Sequence, residues 1–292
     1  AEPAWAKKAK EGRASDIKPC INCLIGCIDR GMLSHTPIHC TVNPSLYRFE
    51  CKPVEKAETR KQVAVVGAGP AGCEAALTAS KRGHQVTIYE KRCIGGAMIE
   101  ASKPENKANI KRLIHYYEDH IMHDPNITLV KEEVEYETLV HSGYDAVIIA
   151  VGGKTRILNV PGIEKNSVIY ASDYLNGSTA VTGNTVVVIG GGITGAETAL
   201  ELNAEGKKVT IVEMTDAFLA NFSSACQAYL ATINETDIKI LTGKRLTAVH
   251  ENNVILTDRW GNETTVPADS VVIAAGFTSQ NELSDKLEEN TD

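Results

Sequence analysis

Four cysteines near the beginning of the chain have the spacing of a metal centre. Cys20, Cys23, Cys27 and Cys40 fall within 21 residues, the first three close together and the fourth after a loop. Thiolate sets of this kind bind zinc or iron–sulfur clusters. Structural zinc sites more often use two separated pairs of ligands, whereas three close ligands and a distant fourth favour [4Fe–4S]. We therefore predict a [4Fe–4S] cluster, with zinc as the alternative.

Other residues of this region are weaker ligand candidates. His35 and His39 lie between the third and fourth cysteines, and with four thiolates available we expect them to pack within the loop. Cys51 is the fifth candidate, should Cys40 not be a ligand. Two further cysteines lack a CxxC partner and so argue against dithiol–disulfide chemistry; they are Cys93 and Cys226.

A glycine-rich turn follows the cysteines. Gly67, Gly69 and Gly72 form a GxGxxG pattern after a short apolar run at 63–66. The first glycine permits a tight turn, the second lets a pyrophosphate approach the backbone, and the third lets helix pack on strand. Glu90 ends the next predicted strand, 23 residues after Gly67, where a carboxylate accepts hydrogen bonds from ribose hydroxyls. This pattern predicts a dinucleotide site, with the phosphates at the helix N-terminus.

The same pattern recurs 123 residues later. Gly190, Gly192 and Gly195 repeat the turn, and Glu213 repeats the acid. The apolar run at 147–150 recurs at 271–274, a shift of 124. So many matches in register indicate two dinucleotide-binding units of similar construction. Two nucleotides in one chain are most simply a flavin and a nicotinamide dinucleotide that exchange electrons.

The order of the two nucleotides follows from their surroundings. Gly95 and Gly96, shortly after Glu90, suit a second backbone segment lying close to a tightly bound FAD, and the second unit has no such pair. Glu213 repels a 2′-phosphate, and residues 214–216 contain no arginine to hold one, which favours NADH over NADPH. The full set of predicted nucleotide-binding residues is Gly67, Gly69, Pro70, Ala71, Gly72, Glu90, Lys91, Gly96, Gly152, Gly190, Gly192, Ile193, Thr194, Gly195, Glu213 and Gly276.

The elements that must position these groups alternate between strand and helix. Strands are predicted at 63–66, 85–90, 127–134 and 146–150, and helices after the first glycine turn and at 104–122. Residues 153–183 form a crossover, after which the second unit repeats the order. The predicted fold class is α/β, with two Rossmann-like nucleotide-binding domains of the FAD/NAD(P)-linked reductase type preceded by a loop-rich iron–sulfur segment.

Length and composition limit the alternatives. A chain of 292 residues has room for two domains. A net charge of −7 and 5% aromatic residues argue against nucleic-acid binding, and the longest apolar runs are too short to span a membrane. Because the chain opens without the apolar segment of a signal peptide, we expect a reducing, cytoplasmic compartment in which disulfides are disfavoured.

Six segments carry a specific family resemblance. PCINCLIGC, PIHCTVNP, KQVAVVGAGPAGCEAA, YDAVIIAVGG, VVVIGGGITGAETALELNAEGKKVTIVE and VVIAAGFTSQNEL resemble the C-terminal half of the Old Yellow Enzyme-like iron–sulfur flavoenzymes, which include 2,4-dienoyl-CoA reductase, enoate reductases and trimethylamine dehydrogenase. The resemblance implies that Cys20, Cys23, Cys27 and Cys40 ligate the cluster, that the first glycine turn and Glu90 hold FAD, and that the second turn and Glu213 meet NADH. It also implies an FMN-carrying TIM barrel, with the substrate pocket, outside these 292 residues.

The resemblance also implies domain boundaries and a reaction. Residues 1–16 correspond to the exit from the barrel, 17–60 to the cluster segment and linker, 61–153 with 268–292 to a C-terminally incomplete FAD domain, and 154–267 to the NADH domain. Electrons would pass from NADH to FAD, to the cluster and to FMN, for reduction of an activated C=C bond or the reverse oxidation of an amine. We predict no general acid or base in this chain. The alternatives are a stand-alone NADH:acceptor oxidoreductase and a zinc-stabilised, non-catalytic redox sensor.

Overall fold

The computed structural model describes residues 2–44, 46, 54–220 and 223–289. These residues divide into two compact units. The first unit comprises Ala1–Arg30, Thr36–Lys154 and Ser279–Asp292, and the second comprises Gly31–His35 and Thr155–Thr278. Cys51, the fifth candidate ligand, lies outside the described residues.

The helices of the described residues alternate with strands, as the sequence predicts. The α-helices are α1 (Trp5–Lys10), α2 (Pro70–Lys81), α3 (Met98–Ala101), α4 (Ala108–Met122), α5 (Tyr136–His141), α6 (Ala171–Asn176), α7 (Ile193–Ala204), α8 (Ser224–Asn234) and α9 (Glu282–Glu289). A π-helix covers Ile25–Leu33, and short 3₁₀ helices cover Ala14–Asp16 and Glu105–Lys107.

Most strands belong to two parallel sheets, one in each unit. The strands are β1 (Gln62–Val66), β2 (Gln85–Tyr89), β3 (Ile127–Val130), β4 (Ala146–Ile149), β5 (Gly153–Thr155), β6 (Val168–Tyr170), β7 (Thr185–Ile189), β8 (Lys208–Val212), β9 (Lys239–Leu241), β10 (Lys244–Val249), β11 (Asn253–Asp258), β12 (Glu263–Pro267), β13 (Ser270–Ile273) and β14 (Phe277–Ser279).

The first sheet is parallel with the order β3-β2-β1-β4. Val65 of the central strand pairs with Ile88 on one side and Ile148 on the other. Helices α2 and α4 contribute to the core on one face, and α5 and α9 to the core on the other. A parallel strand covered on both faces has a continuous apolar sequence, which explains why the run at 63–66 identifies β1.

The second sheet repeats this plan with one additional strand. Its order is β6-β13-β7-β8-β9, and Val188 pairs with Ile211 and with Val272. These three residues stand 123 or 124 positions after Val65, Ile88 and Ile148, so the internal repeat is confirmed at the level of strand register. A separate antiparallel sheet, β10-β11-β12, follows β9 in the chain.

One domain boundary differs from the expectation. The expected FAD domain included residues 268–292, but residues 268–278 lie in the second unit. The reason is that β13 pairs with β7 and β6, as its counterpart β4 pairs with β1. Only the segment from Ser279 onward, with α9, returns to the first unit.

Several element ends also differ. The predicted helix at 104–122 begins at Ala108, after α3 and a 3₁₀ turn. The predicted strand at 127–134 ends at Val130, and the crossover at 153–183 contains β5, β6 and α6. Among the residues that the structure describes, no helix combines the length and the apolar character that a membrane crossing requires.

Candidate functional site

The first glycine turn has the geometry that a dinucleotide requires. Gly67 adopts a φ of +100°, and a Cβ there would lie 2.5 Å from the carbonyl oxygen of Ala150. A Cβ at Gly72 would overlap the carbonyl oxygen of Gly67, so the turn closes only without side chains at these two positions. Gly69 precedes α2 without a side-chain cap, which leaves the first amides of the helix to an anion.

The second turn reproduces this geometry. Gly190 has a φ of +119°, and a Cβ there would overlap the carbonyl oxygen of Ala274. A Cβ at Gly195 would likewise overlap Gly190. At Gly192, before α7, a Cβ would meet nothing within 4 Å. The space above this residue is therefore open, as close approach of a pyrophosphate requires.

Both predicted acids are fixed by the backbone of their own glycine turn. The Glu90 carboxylate accepts hydrogen bonds from Ala68 N at 2.8 Å and Arg92 N at 2.7 Å. In the second unit the Glu213 carboxylate accepts from the equivalent amides, those of Gly191 and Thr215, each at 2.7 Å. An ionised carboxylate accepts about four hydrogen bonds, so each acid retains acceptor sites for two ribose hydroxyls.

A second loop packs against each turn, and here the two units differ. In the first unit Gly95 N donates to Ala68 O at 2.9 Å, and a Cβ at Gly96 would lie 2.8 Å from the Cα of Gly69. In the second unit Leu219 N donates to Gly191 O at 3.0 Å, with a φ of +50° for Leu219. The closer backbone approach in the first unit fits the predicted site of a more tightly enclosed nucleotide.

The remaining predicted nucleotide-binding residues surround the same two turns. Pro70 and Ala71 begin α2, and Ile193 and Thr194 begin α7. Gly152 and Gly276 follow β4 and β13 with φ values of +72° and +86°. Lys91 is exposed and forms an ion pair with Glu133 at 2.8 Å. With these placements, each unit presents one coherent site that fits a dinucleotide.

A repeated acid with a structural role was not predicted. Glu74 on α2 accepts a hydrogen bond from the hydroxyl of Tyr117 on α4 at 2.8 Å. Its counterpart in the repeat, Glu197, accepts one from Tyr229 on α8 at 2.6 Å. In both units a glutamate in the helix after the glycine turn therefore links that helix to the next long one.

The four predicted ligands are cysteines of one segment, and none of them forms a disulfide. Cys20 and Cys27 are exposed, and Cys23 and Cys40 are half-buried. The described side chains include no group of three or more histidines, cysteines or acids close enough together to hold a metal ion. The structure thus places the four thiols on neighbouring turns without bringing them into a converged ligand set.

Local contacts nevertheless join the two ends of this segment. Cys23 Sγ lies 3.2 Å from Thr41 Oγ1. The backbone of His39 donates to Gly26 O at 2.7 Å, and a Cβ at Gly26 would lie 2.6 Å from His39 O. These contacts hold Cys23 and the turn at Gly26 beside the residues that flank Cys40, and they make His39 a loop-packing residue. Partial burial raises the pKa of Cys40, but hydrogen bonds, the largest from the Val42 amide, leave the pKa below its ordinary value.

The backbone of the cysteine segment is strained. Asn22, Leu24 and His35 adopt φ values of +54°, +59° and +49°. The left-handed region is costly for a residue with a Cβ, above all for leucine, and such strain concentrates at functional sites. With four cysteines outside disulfides and a strained loop between them, the donor set fits an iron–sulfur cluster in chemistry.

A half-buried cation connects this segment to the first glycine-turn helix. Lys18 forms an ion pair with Glu74, and its ammonium lies 5.1 Å from the ring centroid of Tyr117. Burial lowers the pKa of Lys18 to about 8.

Cys73 also lies on α2, one residue before Glu74. Burial and the nearby Glu90 raise the pKa of Cys73 to about 12. Cys73 is thus a protonated, apolar core residue, as its position on the buried face of the helix indicates.

Known proteins are similar over almost the whole chain. An NADH oxidase from Thermoanaerobacter brockii is 36% identical over 99% of this chain and 46% of its own length. A cinnamate reductase from Clostridium sporogenes is 32% identical over 94% of this chain and 42% of its own. The solved structure of a 2-naphthoyl-CoA reductase superimposes with a TM-score of 0.88 and 30% identity, over 98% of this chain and 44% of that one.

These similarities establish the family. The chain spans less than half the length of these relatives. The matches confirm the resemblance to the C-terminal part of the Old Yellow Enzyme-like flavoenzymes, and they confirm the α/β fold of the FAD/NAD(P)-linked reductases. Residues 61–292 match a single family description. This chain belongs to the pyridine nucleotide-disulphide oxidoreductase family.

Proposed function

We propose that this chain is the electron-input module of an NADH-dependent flavin and iron–sulfur oxidoreductase. The observation that carries the proposal is the combination of two glycine-turn and carboxylate sites with a strained four-thiol segment packed on the first of them. Family membership supports the two nucleotides. The thiol segment distinguishes this chain from a reductase that uses only nucleotides.

Each group has an assigned place. The first turn, with Glu90 and Gly96, would hold FAD, and the second, with Glu213, would hold NADH. Cys20, Cys23, Cys27 and Cys40 would hold a [4Fe–4S] cluster. Together these groups would supply hydride transfer from nicotinamide to flavin and single-electron transfer through the cluster to FMN in a barrel domain. The chain's own residues bind and orient: the helix N-termini neutralise phosphate charge, and the two acids fix the ribose rings.

The relatives support a substrate class for the complete enzyme. Their names include a cinnamate reductase and a 2-naphthoyl-CoA reductase, and both names denote reduction of a conjugated unsaturated acid or thioester. We propose reduction of an activated C=C bond, on a small molecule bound in a barrel domain of the same full-length chain or of a separate subunit. The thiol-rich segment would require the reducing conditions of the cytoplasm.

Chemical analysis of anaerobically purified chain, loaded with FAD, iron and sulfide, tests the proposal. We expect about four iron and four sulfide per chain and one flavin, because four thiolates complete one cubane cluster. Addition of NADH should bleach the flavin absorption. Bound zinc without flavin would instead identify a zinc-stabilised sensor. Rapid turnover with a soluble acceptor by the chain alone would favour the stand-alone oxidoreductase.

Substitution of Glu213 tests the nicotinamide site. Removal of its negative charge in Glu213→Gln should narrow the preference for NADH over NADPH by about 1–3 kcal/mol, because the charge next to the adenosine 2′ position is lost. Glutamine keeps an oxygen acceptor for the Gly191 amide but places an amide donor opposite Thr215 N, so thermal unfolding of the variant is measured beside the kinetics. The measurement is the ratio of kcat/KM values for flavin reduction by the two nucleotides. Glu90→Gln is the matched control, and the same change of ratio in both variants would contradict the assignment.

A further inference from the structure

The structure brings an arginine that is distant in sequence, Arg259, to the loop that begins at Glu213. Arg259 lies at the tip of the hairpin between β11 and β12, and its Nη1 forms an ion pair with Asp216 Oδ2 at 3.3 Å. Asp216 belongs to the loop that begins at Glu213. Both side chains are largely exposed, at 64% and 74%, so a third charged group can reach them from solvent.

The hairpin tip holds Arg259 in a defined position. The Asp258 carboxylate accepts hydrogen bonds from the backbone amides of Trp260 and Asn262, both at 2.9 Å. Gly261 turns the chain with a φ of +88°. The guanidinium carbon of Arg259 lies 4.3 Å from the ring centroid of Trp260, a cation–π contact that limits its rotamers.

The opposite side of the ion pair is tied to the glycine turn. Glu213 binds the Gly191 amide, and Leu219 N donates to Gly191 O at 3.0 Å. Midway, Gly243 N donates to Thr215 O at 2.8 Å. The loop that carries Asp216 is therefore held at its beginning, middle and end, next to the carboxylate that would bind ribose.

A second cation near this loop, Lys244, is engaged elsewhere. Lys244 donates its backbone amide to Glu213 O at 3.0 Å, while its ammonium donates to Thr264 Oγ1 on β12 at 2.9 Å. Lys244 also pairs with Asp258 across β10 and β11, so the hairpin tip with Arg259 is adjacent to the Glu213 loop. Arg259, in contrast, forms its ion pair with Asp216, a residue of the Glu213 loop itself.

We propose that Arg259 is a specificity residue for the adenosine 2′ position, and that Asp216 suppresses it. The inference rests on the proposed nicotinamide site in the second unit. A 2′-phosphate near Glu213 would be repelled by that carboxylate but attracted by the guanidinium, which binds phosphate in a bidentate manner. Asp216 occupies one of these donor groups, Nη1, and its negative charge offsets the charge of the guanidinium. The ion pair therefore adds to the preference for NADH, and a chain with Arg259 released would tolerate a 2′-phosphate.

Binding of adenosine fragments to the full chain tests this without any flavin chemistry. We expect Asp216→Asn to raise the affinity for adenosine 2′,5′-bisphosphate by about three- to tenfold, the range of one exposed charged contact. Affinity for 5′-AMP should stay the same. Isothermal titration calorimetry gives both constants, and thermal unfolding of each variant verifies that it is folded.

Two further variants complete the design. In Asp216→Asn/Arg259→Ala the gain should disappear, because the cation is gone. Asp237→Asn is the control for net charge. Asp237 is exposed and precedes β9, at the edge of the sheet where the neighbouring strand β8 begins. This variant should leave the affinity for the bisphosphate unchanged.

The outcomes separate the inference from the proposed function. An unchanged affinity for the bisphosphate in Asp216→Asn, or a gain that survives removal of Arg259, overturns the role of Arg259 alone. An equal gain in Asp237→Asn attributes the effect to net charge and also overturns it. Absence of binding by both fragments to the unaltered chain overturns the nucleotide site itself, and the inference with it.

Discussion

The substitution Gly192→Ala should leave the fold and the bound flavin unchanged while weakening NADH binding by about tenfold or more. The backbone of Gly192, with φ −82° and ψ −175°, is one that alanine adopts without strain. A Cβ there meets no protein atom within 4 Å, so folding is not penalised. The new methyl group would occupy the open space above the N-terminus of α7 that a pyrophosphate needs. Reductive titration with NADH and the flavin absorption spectrum measure the two quantities.

The matched variant in the first unit is Gly69→Ala, for which the opposite result is expected. Its Cβ would meet only the Cα of Gly96 at 3.9 Å, so this chain should also fold, but without FAD. Gly206→Ala serves as the stability control: with φ +84° and no neighbour within 4 Å, it should lower Tm and leave NADH affinity unchanged. Loss of flavin in Gly192→Ala and retention in Gly69→Ala would reverse the assignment of the two nucleotides.

The second large effect concerns the cluster. Cys23→Ala should remove the iron and the reduced-cluster EPR signal, while NADH still bleaches the flavin. Three thiolates leave one iron of a cubane without its protein ligand, and Cys23 is also the thiol in contact with Thr41, 3.2 Å away. Iron analysis, low-temperature EPR and stopped-flow absorption measure the three quantities. Cys93→Ala, at an exposed cysteine outside the segment, is the control and should change none of them.

A pair of variants decides the fourth ligand. If Cys40 ligates the cluster, Cys40→Ala should lose the iron and Cys51→Ala should keep it. The reverse result would assign the fourth position to Cys51. Full iron content in Cys23→Ala would contradict the ligand set as a whole, whereas an intact EPR signal with loss of flavin reduction would place the cysteine in flavin binding instead.

The glycine turns and their strands could be predicted because their chemistry is local. GxGxxG constrains a turn of six residues, and the strand registers follow from the same shift that relates the two turns. The boundary at 268 could not be found in this way, because β13 joins its sheet through pairing with β7, some eighty residues earlier in the chain. The repeat, in contrast, did indicate that this strand belongs to the second unit, since 147–150 and 271–274 correspond and should occupy equivalent strands.

Contacts between elements that are distant in the chain could not be predicted from the sequence. Glu197 repeats Glu74, but their tyrosine partners at 229 and 117 are separated by 112 residues, so the shift of 123 does not relate the pairs. Arg259 lies 43 residues from Asp216 and reaches it from the hairpin between β11 and β12. The left-handed conformation of Leu24 has no sequence signal, whereas asparagine, as at position 22, adopts this conformation more readily than other non-glycine residues.

The split of the first unit has a consequence for synthesis of the chain. Leu283 and Leu287 of α9 pack against the cluster that contains Ala64, Val66 and Leu139, yet they are made after the whole of the second unit. During translation the inserted unit can fold as soon as it emerges. Until α9 has been made, one face of the sheet in the first unit remains incompletely covered. The nascent chain therefore exposes apolar surface until α9 leaves the ribosome, and this interval is when we expect it to depend most on chaperones.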